Sequence, residues 1–321
     1  MTLLLGLDEA GYGPSLGPLV VAATLWRLPH RVPEFPDLYD LLEGTVVRQP
    51  FPRAESEVPI ADSKQLYQGR LKLARLETGL FPALAAWNSP PTQWSRLWPE
   101  LAPESGPPLQ REPWYREYDA PLPRELAPAA WQPRADALRR ALSRARLELP
   151  AIRAVAVFPA AFNRAVARYG SKGALLSHLT IRLARDLLDS LPAEDTLIVG
   201  DKHGGRNRYG PLLQTAFPDD LIQVRQEGRA LSVYRWGAPG RTREFQFAAG
   251  GEAFLPAALA SMVAKYLREM AMQAFNAYWQ RRIPGLRPTA GYPQDARRFW
   301  EEIDPLRRET SLPRELLWRA R

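Results

Sequence analysis

Two apolar, partly β-branched runs, Leu3 to Asp8 and Leu19 to Trp26, stand close together, separated by Gly11, Gly13, Pro14, Gly17 and Pro18. Runs of this length punctuated by glycine and proline predict two strands joined by a turn. A hairpin followed by alternating strand and helix signals predicts a mixed-sheet α/β domain with helices flanking the sheet. The first run also ends on two acids, Asp8 and Glu9, at a position where a scaffold can aim side chains at a ligand.

The rest of the chain fills in that plan. Residues 29–59 carry prolines and charges without a period, so a loop with a short helix near Leu38 to Leu42 is expected. Leu66, Leu71, Leu73, Leu76, Leu80 and Leu84 predict one helix, interrupted or kinked at Pro82. Residues 89–133 hold eleven of the 32 prolines together with Trp94, Trp98, Trp114, Tyr115, Tyr118 and Trp131. That density of proline predicts neither a helix nor a simple sheet, and that density of aromatics is foreign to disordered chain. We expect an ordered, irregular Pro/Trp-rich insertion.

Beyond it, a basic helix is expected over Ala135 to Glu148, a strand over Ile152 to Phe158, and a helix capped by Ser171. A buried strand over Thr196 to Gly200 then leads to Asp201. Further strands are expected at Leu221 to Arg225, Leu231 to Arg235 and Arg243 to Ala249, and a long helix from Ala253 to Trp279. Shorter helical pieces, Gln294 to Ile303 and Pro313 to Arg319, close the chain. The chain thus divides into a main domain over 1–304, which includes the irregular insertion 89–133 and the further strands 221–249, and a helical tail over 305–321.

Composition narrows the chemistry. Lys+Arg number 43 against 35 Asp+Glu, a net charge of +8 that suits a polyanionic partner such as nucleic acid. No cysteine is present, and His30, His178 and His203 are scattered, so thiolate chemistry and a Cys/His zinc site are excluded. A bound metal would rest on carboxylate oxygen, the preference of Mg²⁺ or Mn²⁺. The opening apolar residues meet Asp8 within a few positions, too soon for a signal segment, and no apolar run reaches a membrane span. A cytoplasmic protein without membrane contact is expected.

Asp8, Glu9, Asp62, Asp201 and Glu252 all stand beside turns or element ends. Ligands of open α/β sheets collect beyond the carboxyl ends of strands, where Asp8 and Asp201 fall. Converging carboxylates hold the pair of divalent ions that activates water and stabilises the leaving oxygen in phosphodiester hydrolysis. Each acid alone also has a plainer role. Asp62 or Asp201 can cap a helix, and Glu252 can face the positive end of the long helix. Adjacent strand residues point to opposite faces, so Asp8 and Glu9 can share a site only if the strand ends or twists at Glu9, or if Glu9 lends its carbonyl.

The segment Gly6-Leu7-Asp8-Glu9-Ala10-Gly11-Tyr12-Gly13-Pro14, continuing through Gly17 to Ala23, resembles the opening of type 2 ribonucleases H (ribonuclease HII-like). Asp62-Ser63-Lys64-Gln65-Leu66 is similar to that family's second block, and Ile198 to Asp201 to its next catalytic strand. Gly251-Glu252 with Ala257 to Lys265 is similar to the block bearing the last acid, and Gly291-Tyr292-Pro293 to a late Gly-Tyr segment. The resemblance implies a ribonuclease H-like fold and Mg²⁺- or Mn²⁺-dependent cleavage of the RNA-containing strand in RNA/DNA duplexes by a two-metal mechanism. It makes Asp8, Glu9, Asp201 and Glu252 the catalytic metal ligands. Gly11, Tyr12, Gly13, Ser63, Lys64 and Tyr292 become substrate contacts.

The chain departs from that family at two positions. The family carries Arg or Lys where this chain has Tyr12, so a different DNA or RNA substrate, or nucleic-acid binding without catalysis, stands as the alternative. Glu252 replaces Asp, and its extra methylene bears on metal preference. Lys202, Arg206, Arg208, Lys265 and Arg268 fit a phosphate-binding surface, although a solvated face is the commoner role for each. His203 is placed for proton transfer. A monomer acting on a ribonucleotide-containing duplex is the working expectation.

Overall fold

The computed structural model describes residues 1–69 and 71–320. Strands β1 (Thr2–Ala10) and β2 (Leu19–Leu28) form an antiparallel hairpin, registered from Thr2–Leu28 to Ala10–Val20. Because strand side chains alternate, Leu3, Leu5 and Leu7 enter one buried layer and Leu4 the other.

Helix α1 (Leu38–Leu41) and the short parallel pair β3 (Val46–Val47) and β4 (Val58–Pro59) follow. The single helix expected through Leu66 and Leu84 is two, α2 (Ser63–Leu66) and α3 (Lys72–Trp87). Gly69 in the link has φ +68°, a left-handed backbone that glycine adopts without strain and that stops a helix. α3 runs on through Pro82.

The proline-rich stretch contains helix, against expectation: α4 (Trp94–Leu101), a 3₁₀ turn at Pro103–Ser105, α5 (Gly106–Arg111), α6 (Pro113–Arg116) and the start of α7 (Pro128–Ala145). Prolines occupy the first turn in all of these but α4, where the missing N–H costs nothing and the fixed φ favours a start. Trp94, Trp98 and Trp114 are buried, and the Trp94 indole donates to Met270 O at 3.1 Å. The aromatics pack against the main body.

β5 (Glu148–Val157), α8 (Pro159–Tyr169), α9 (Lys172–Asp189), β6 (Asp195–Asp201) and α10 (Gly210–Ala216) come next. Ser171 caps α9 by accepting from Ala174 N at 3.1 Å. Then come β7 (Gln223–Glu227), β8 (Leu231–Trp236), β9 (Arg243–Ala248), α11 (Leu255–Arg282) and α12 (Pro293–Glu309). The sheet order is β5-β2-β1-β6-β9-β8-β7, with β1, β6 and β9 mutually parallel and the other neighbours antiparallel. It is a seven-stranded mixed sheet flanked by helices, an α/β fold. β9 lies inside this sheet, so only β7 and β8 of the 221–249 stretch extend it outward.

α11 covers one face and α9 the other. A Cβ on Gly6 would lie 2.1 Å from Pro256 C and 2.2 Å from Ala257 N, so the start of α11 rests directly on β1. α12 continues past residue 304, and the tail beyond it holds one 3₁₀ turn, Arg314–Leu316, where a longer helical piece was expected. Thr310 and Ser311 end α12, the latter at φ +53°, and Pro313 follows. Arg321 of that tail lies outside the described residues. No helix among the described residues is long and apolar enough to cross a membrane.

Candidate functional site

β1 and β6 run parallel side by side, and their last registered pair is Leu7–Gly200. One residue further along each strand stand Asp8 and Asp201, at the carboxyl ends of neighbouring strands. β1 does not end at Glu9, one of the ways in which it was expected to share a site with Asp8. Glu9 pairs with Val21 and Ala10 with Val20, so alternation sends Asp8 toward α11 and Glu9 toward the opposite face at the strand's tip.

The acids nevertheless feel one another. Burial, then the Glu9 charge, pushes the Asp8 carboxyl well above its usual range, with the Ser261 hydroxyl partly offsetting this. Burial and the charges of Asp201 and Glu252 raise Glu9 to about 7, against the pull of Lys64. Asp201 accepts from Gly250 N at 3.2 Å. Glu252 sits in a 3₁₀ turn after β9, held close because Gly251 has no side chain: a Cβ there would be 3.0 Å from the Gly200 and Asp201 backbone.

Asp62 plays the capping role weighed for it, although for α2 and not for a helix starting later. It accepts from Lys64 N at 3.1 Å. Ser63 and Ser261 share a hydroxyl hydrogen bond of 2.9 Å, fastening α2 to α11. Lys64 is thereby placed among the acids. Burial pulls its ammonium down, yet Asp62, Asp8, Glu252 and Asp201 together hold it above its usual value.

A groove of about 490 Å³ opens beside this cluster, lined by Glu9, Gly11, Tyr12, Gly13, Ser63, Lys64 and Tyr292 among others. Tyr292 is 52% exposed and Gly13 lies beneath its ring edge, 3.8 Å from a notional Cβ. Tyr12 reaches across toward the other wall: its hydroxyl is 3.2 Å from a notional Cβ of Gly204, in the loop after Asp201, and the Lys172 ammonium lies 4.9 Å from its ring. Burial, then Glu9, raises the Tyr12 phenol.

Tyr67, Lys72 and Glu269 of the groove were not anticipated. Tyr67 donates to Glu269 at 2.8 Å, and Glu269 pairs with Lys265 at 2.7 Å and Arg268 at 3.1 Å. Lys72 and Lys265 lie 4.8 and 4.0 Å from the Tyr67 ring centre. The i,i+4 spacing of Lys265 and Glu269 was a signal for one of these pairs. Arg268 is not on a solvated face: it is 2% exposed, and its guanidinium donates to Ala290 O at 2.7 Å. Arg319 is equally buried, with its guanidinium held below its usual value by burial and by Arg268.

Two other expectations are corrected. His203 is 3% exposed, with Nδ1 3.0 Å from Ser177 Oγ, and burial lowers it to about 3, so it is a neutral interior residue facing α9. Lys202 donates to Gly228 O and Ser232 Oγ, both at 2.7 Å, and fastens the β7–β8 turn. Arg208 remains exposed.

Among the described residues, no three His, Asp or Glu side chains close on a point that would hold a metal ion. Strand alternation at Asp8 and Glu9 keeps those two side chains from converging. The donor set still suits a hard divalent cation: it is all oxygen, and the single positive charge of Lys64 does not balance the carboxylates around it.

No protein-family profile and no curated protein sequence matches the chain. Solved structures that it is similar to include RNase HII in the PCNA complex from Archaeoglobus fulgidus, at 13% identity and TM-score 0.42, covering 99% of this chain and 94% of that one. Ribonuclease H2 from Pyrococcus horikoshii OT3 is 14% identical with TM-score 0.42, covering 98% and 92%. Bst-RNase HIII, in complex with Mn²⁺, is 16% identical with TM-score 0.40, covering 99% and 66%.

Proposed function

We propose that this chain is a divalent-metal-dependent endonuclease that cuts the RNA-containing strand of a duplex with DNA. What supports this reading is that Asp8 and Asp201 stand at the carboxyl ends of neighbouring parallel strands and that Lys64 feels the charges of Asp8, Asp201 and Glu252, beside a groove lined by Glu9 and Lys64.

Asp8 and Asp201 would hold a metal ion from the sheet side, with Glu9 and Glu252 drawn in from either flank. When bound, such ions supply a nucleophilic water and stabilise the leaving oxygen. The chain's own residues do the rest. Lys64, tethered through the Asp62 cap and the Ser63–Ser261 bond, offers a positive charge to a phosphate next to the acids. Tyr292 presents an exposed ring to the nucleic acid across Gly13. Lys72 and Lys265 also line the groove and would offer positive charge to a bound backbone.

Tyr12 favours a second reading in which the fold and metals are kept and the preferred duplex differs, because this chain has a tyrosine where the family it resembles carries a cation. Cleavage of labelled duplexes with no, one or several ribonucleotides, in Mg²⁺ and in Mn²⁺, tests both. Loss of cutting in Asp8→Asn and Asp201→Asn is expected. Wild type that cuts nothing, or substituted protein that cuts normally, would refute the nuclease. Equal cutting of all-DNA duplex would select the second reading.

A further inference from the structure

The last described residues return to the loop that follows β1. Trp318 bridges to Leu16, Arg319 N donates to Ser15 O at 2.8 Å, and Asn163 of α8 holds Trp318 O and Ala320 N at 2.9 and 2.6 Å. From this anchorage the Arg319 side chain runs inward to 2% exposure, its guanidinium 3.9 Å from the Phe162 ring centre. Nη1 donates to Gly11 O at 2.5 Å and Nη2 to Tyr12 O at 3.3 Å. Among the described residues no carboxylate pairs with it, and its Nε has no partner. A buried cation answered by two peptide carbonyls and an aromatic face, with no carboxylate, is a costly arrangement, which makes its target informative.

Peptide geometry carries the consequence to the other side of the loop. In a trans peptide unit the C=O and the next N–H point in opposite directions. With the carbonyls of Gly11 and Tyr12 drawn toward Arg319, the N–H groups of Tyr12 and Gly13 point away from it. Among the described residues neither N–H donates a hydrogen bond. Gly11, Tyr12 and Gly13 all line the groove. Gly11 has φ +89°, and a Cβ there would lie 2.4 Å from Pro18 O and 2.9 Å from the Arg268 side chain, so only glycine fits this turn of the loop. Successive N–H groups turned the same way form a concavity that takes an oxygen.

We infer that Arg319 is a positioning residue: it clamps the Gly11 and Tyr12 carbonyls from behind so that the Tyr12 and Gly13 N–H groups meet an oxygen of the bound strand. The clamp rests on the nucleic-acid reading above for its ligand, and on the hydrogen bonds alone for its geometry.

The test compares full-length wild type, Arg319→Lys and Arg319→Ala. In ¹H–¹⁵N spectra without substrate, the Tyr12 and Gly13 amides are expected to shift most, and millimolar guanidinium added to Arg319→Ala moves them back. In cleavage assays KM rises about tenfold or more while kcat stays within about threefold, with Arg319→Lys intermediate. A KM change confined to ribonucleotide-bearing duplex identifies the oxygen as a sugar hydroxyl. An equal loss of binding affinity for all-DNA duplex, read by titration without cleavage, identifies a phosphate oxygen. Unmoved amides, or a fall in kcat at constant KM, would overturn the clamp. If Arg319→Ala does not fold, Arg319→Lys carries the same comparison. Wild type that binds neither duplex sinks the nucleic-acid reading, while the amide shifts still decide the clamp.

Discussion

Gly6→Ala isolates the contact that seats the long helix over the site. Gly6 lies in β1 with an ordinary strand backbone, so alanine is conformationally acceptable and even gains about 0.4–1 kcal/mol by restricting the unfolded chain. Sterics decide the sign. The added methyl would sit 2.1 Å from Pro256 C and 2.2 Å from Ala257 N, both backbone atoms, and 2.6 Å from the Pro256 side chain. Relief requires α11 to move off β1 by more than an ångström, which breaks the 2.7 Å bond from Thr24 Oγ1 to Pro256 O. Overpacking typically costs about 1–3 kcal/mol, and a clash with backbone that no rotamer can absorb lies at or above the top of that range. The net expectation is a loss of about 2 kcal/mol or more. Denaturant unfolding of both proteins measures it, with Gly106→Ala as the control, since nothing lies within 4 Å of a Cβ there. Cleavage should fall as well, because Ser261 on α11 lies beside Asp8. A Gly6→Ala protein as stable as wild type would refute the direct seating of α11 on β1.

Other outcomes rest on the same geometry. Burial raises the Glu112 carboxyl to about 8, so the folded protein holds a proton there that the unfolded chain has released, and stability should decline as pH rises from about 4.5 to about 8. Glu112→Gln should remove that decline, raising stability at pH near 8.5 by about 2–4 kcal/mol and leaving it unchanged near pH 4, as read from denaturation midpoints; parallel pH profiles would contradict this. Mg²⁺ or Mn²⁺ should raise the thermal midpoint of wild type, by about 1.4 kcal/mol of stability at tenfold excess over Kd, and chelator should reverse it. Asp201→Asn should abolish the effect, and a persistent shift would place the ion elsewhere. Trp94→Ala should cost about 3–5 kcal/mol in calorimetry, because Trp94 is 3% exposed; a loss under about 1 kcal/mol would mark residues 89–133 as a peripheral appendage.

What can be read from the sequence divides along physical lines. The opening hairpin and the strands ending at Asp201 and Ala248 are legible because alternation, apolar runs and glycine breaks are local signals. The helix ends at residues 66 and 72 are not, since the leucine spacing runs across the link and only Gly69 marks it. Helices in the proline-rich stretch escape notice because proline breaks a helix interior yet starts a first turn, and composition does not say which. At the site, the acids stand out by their places at element ends. Arg268 reads as surface because helical charge is usually solvated, and its burial depends on the segment around Ala290 closing over it. Arg319 leaves no sequence signal at all, since its partners are backbone carbonyls some three hundred residues away.

The parallel pairing of β1 with β6 also sets the order in which the molecule can assemble. β1 and β2 are joined by a short turn and can zip together early, whereas Leu7 meets Gly200 only after nearly the whole intervening chain has been brought round. Such non-local pairing pays its loop-closure entropy before it gains contact, and it slows folding. Until then Asp8 and Asp201 are ordinary solvated acids that do not repel one another. Forming this pair is therefore a late step, and it brings like charges together. Counter-charge should act on the folding rate at that step, so that refolding quickens as ionic strength rises even where equilibrium stability changes little.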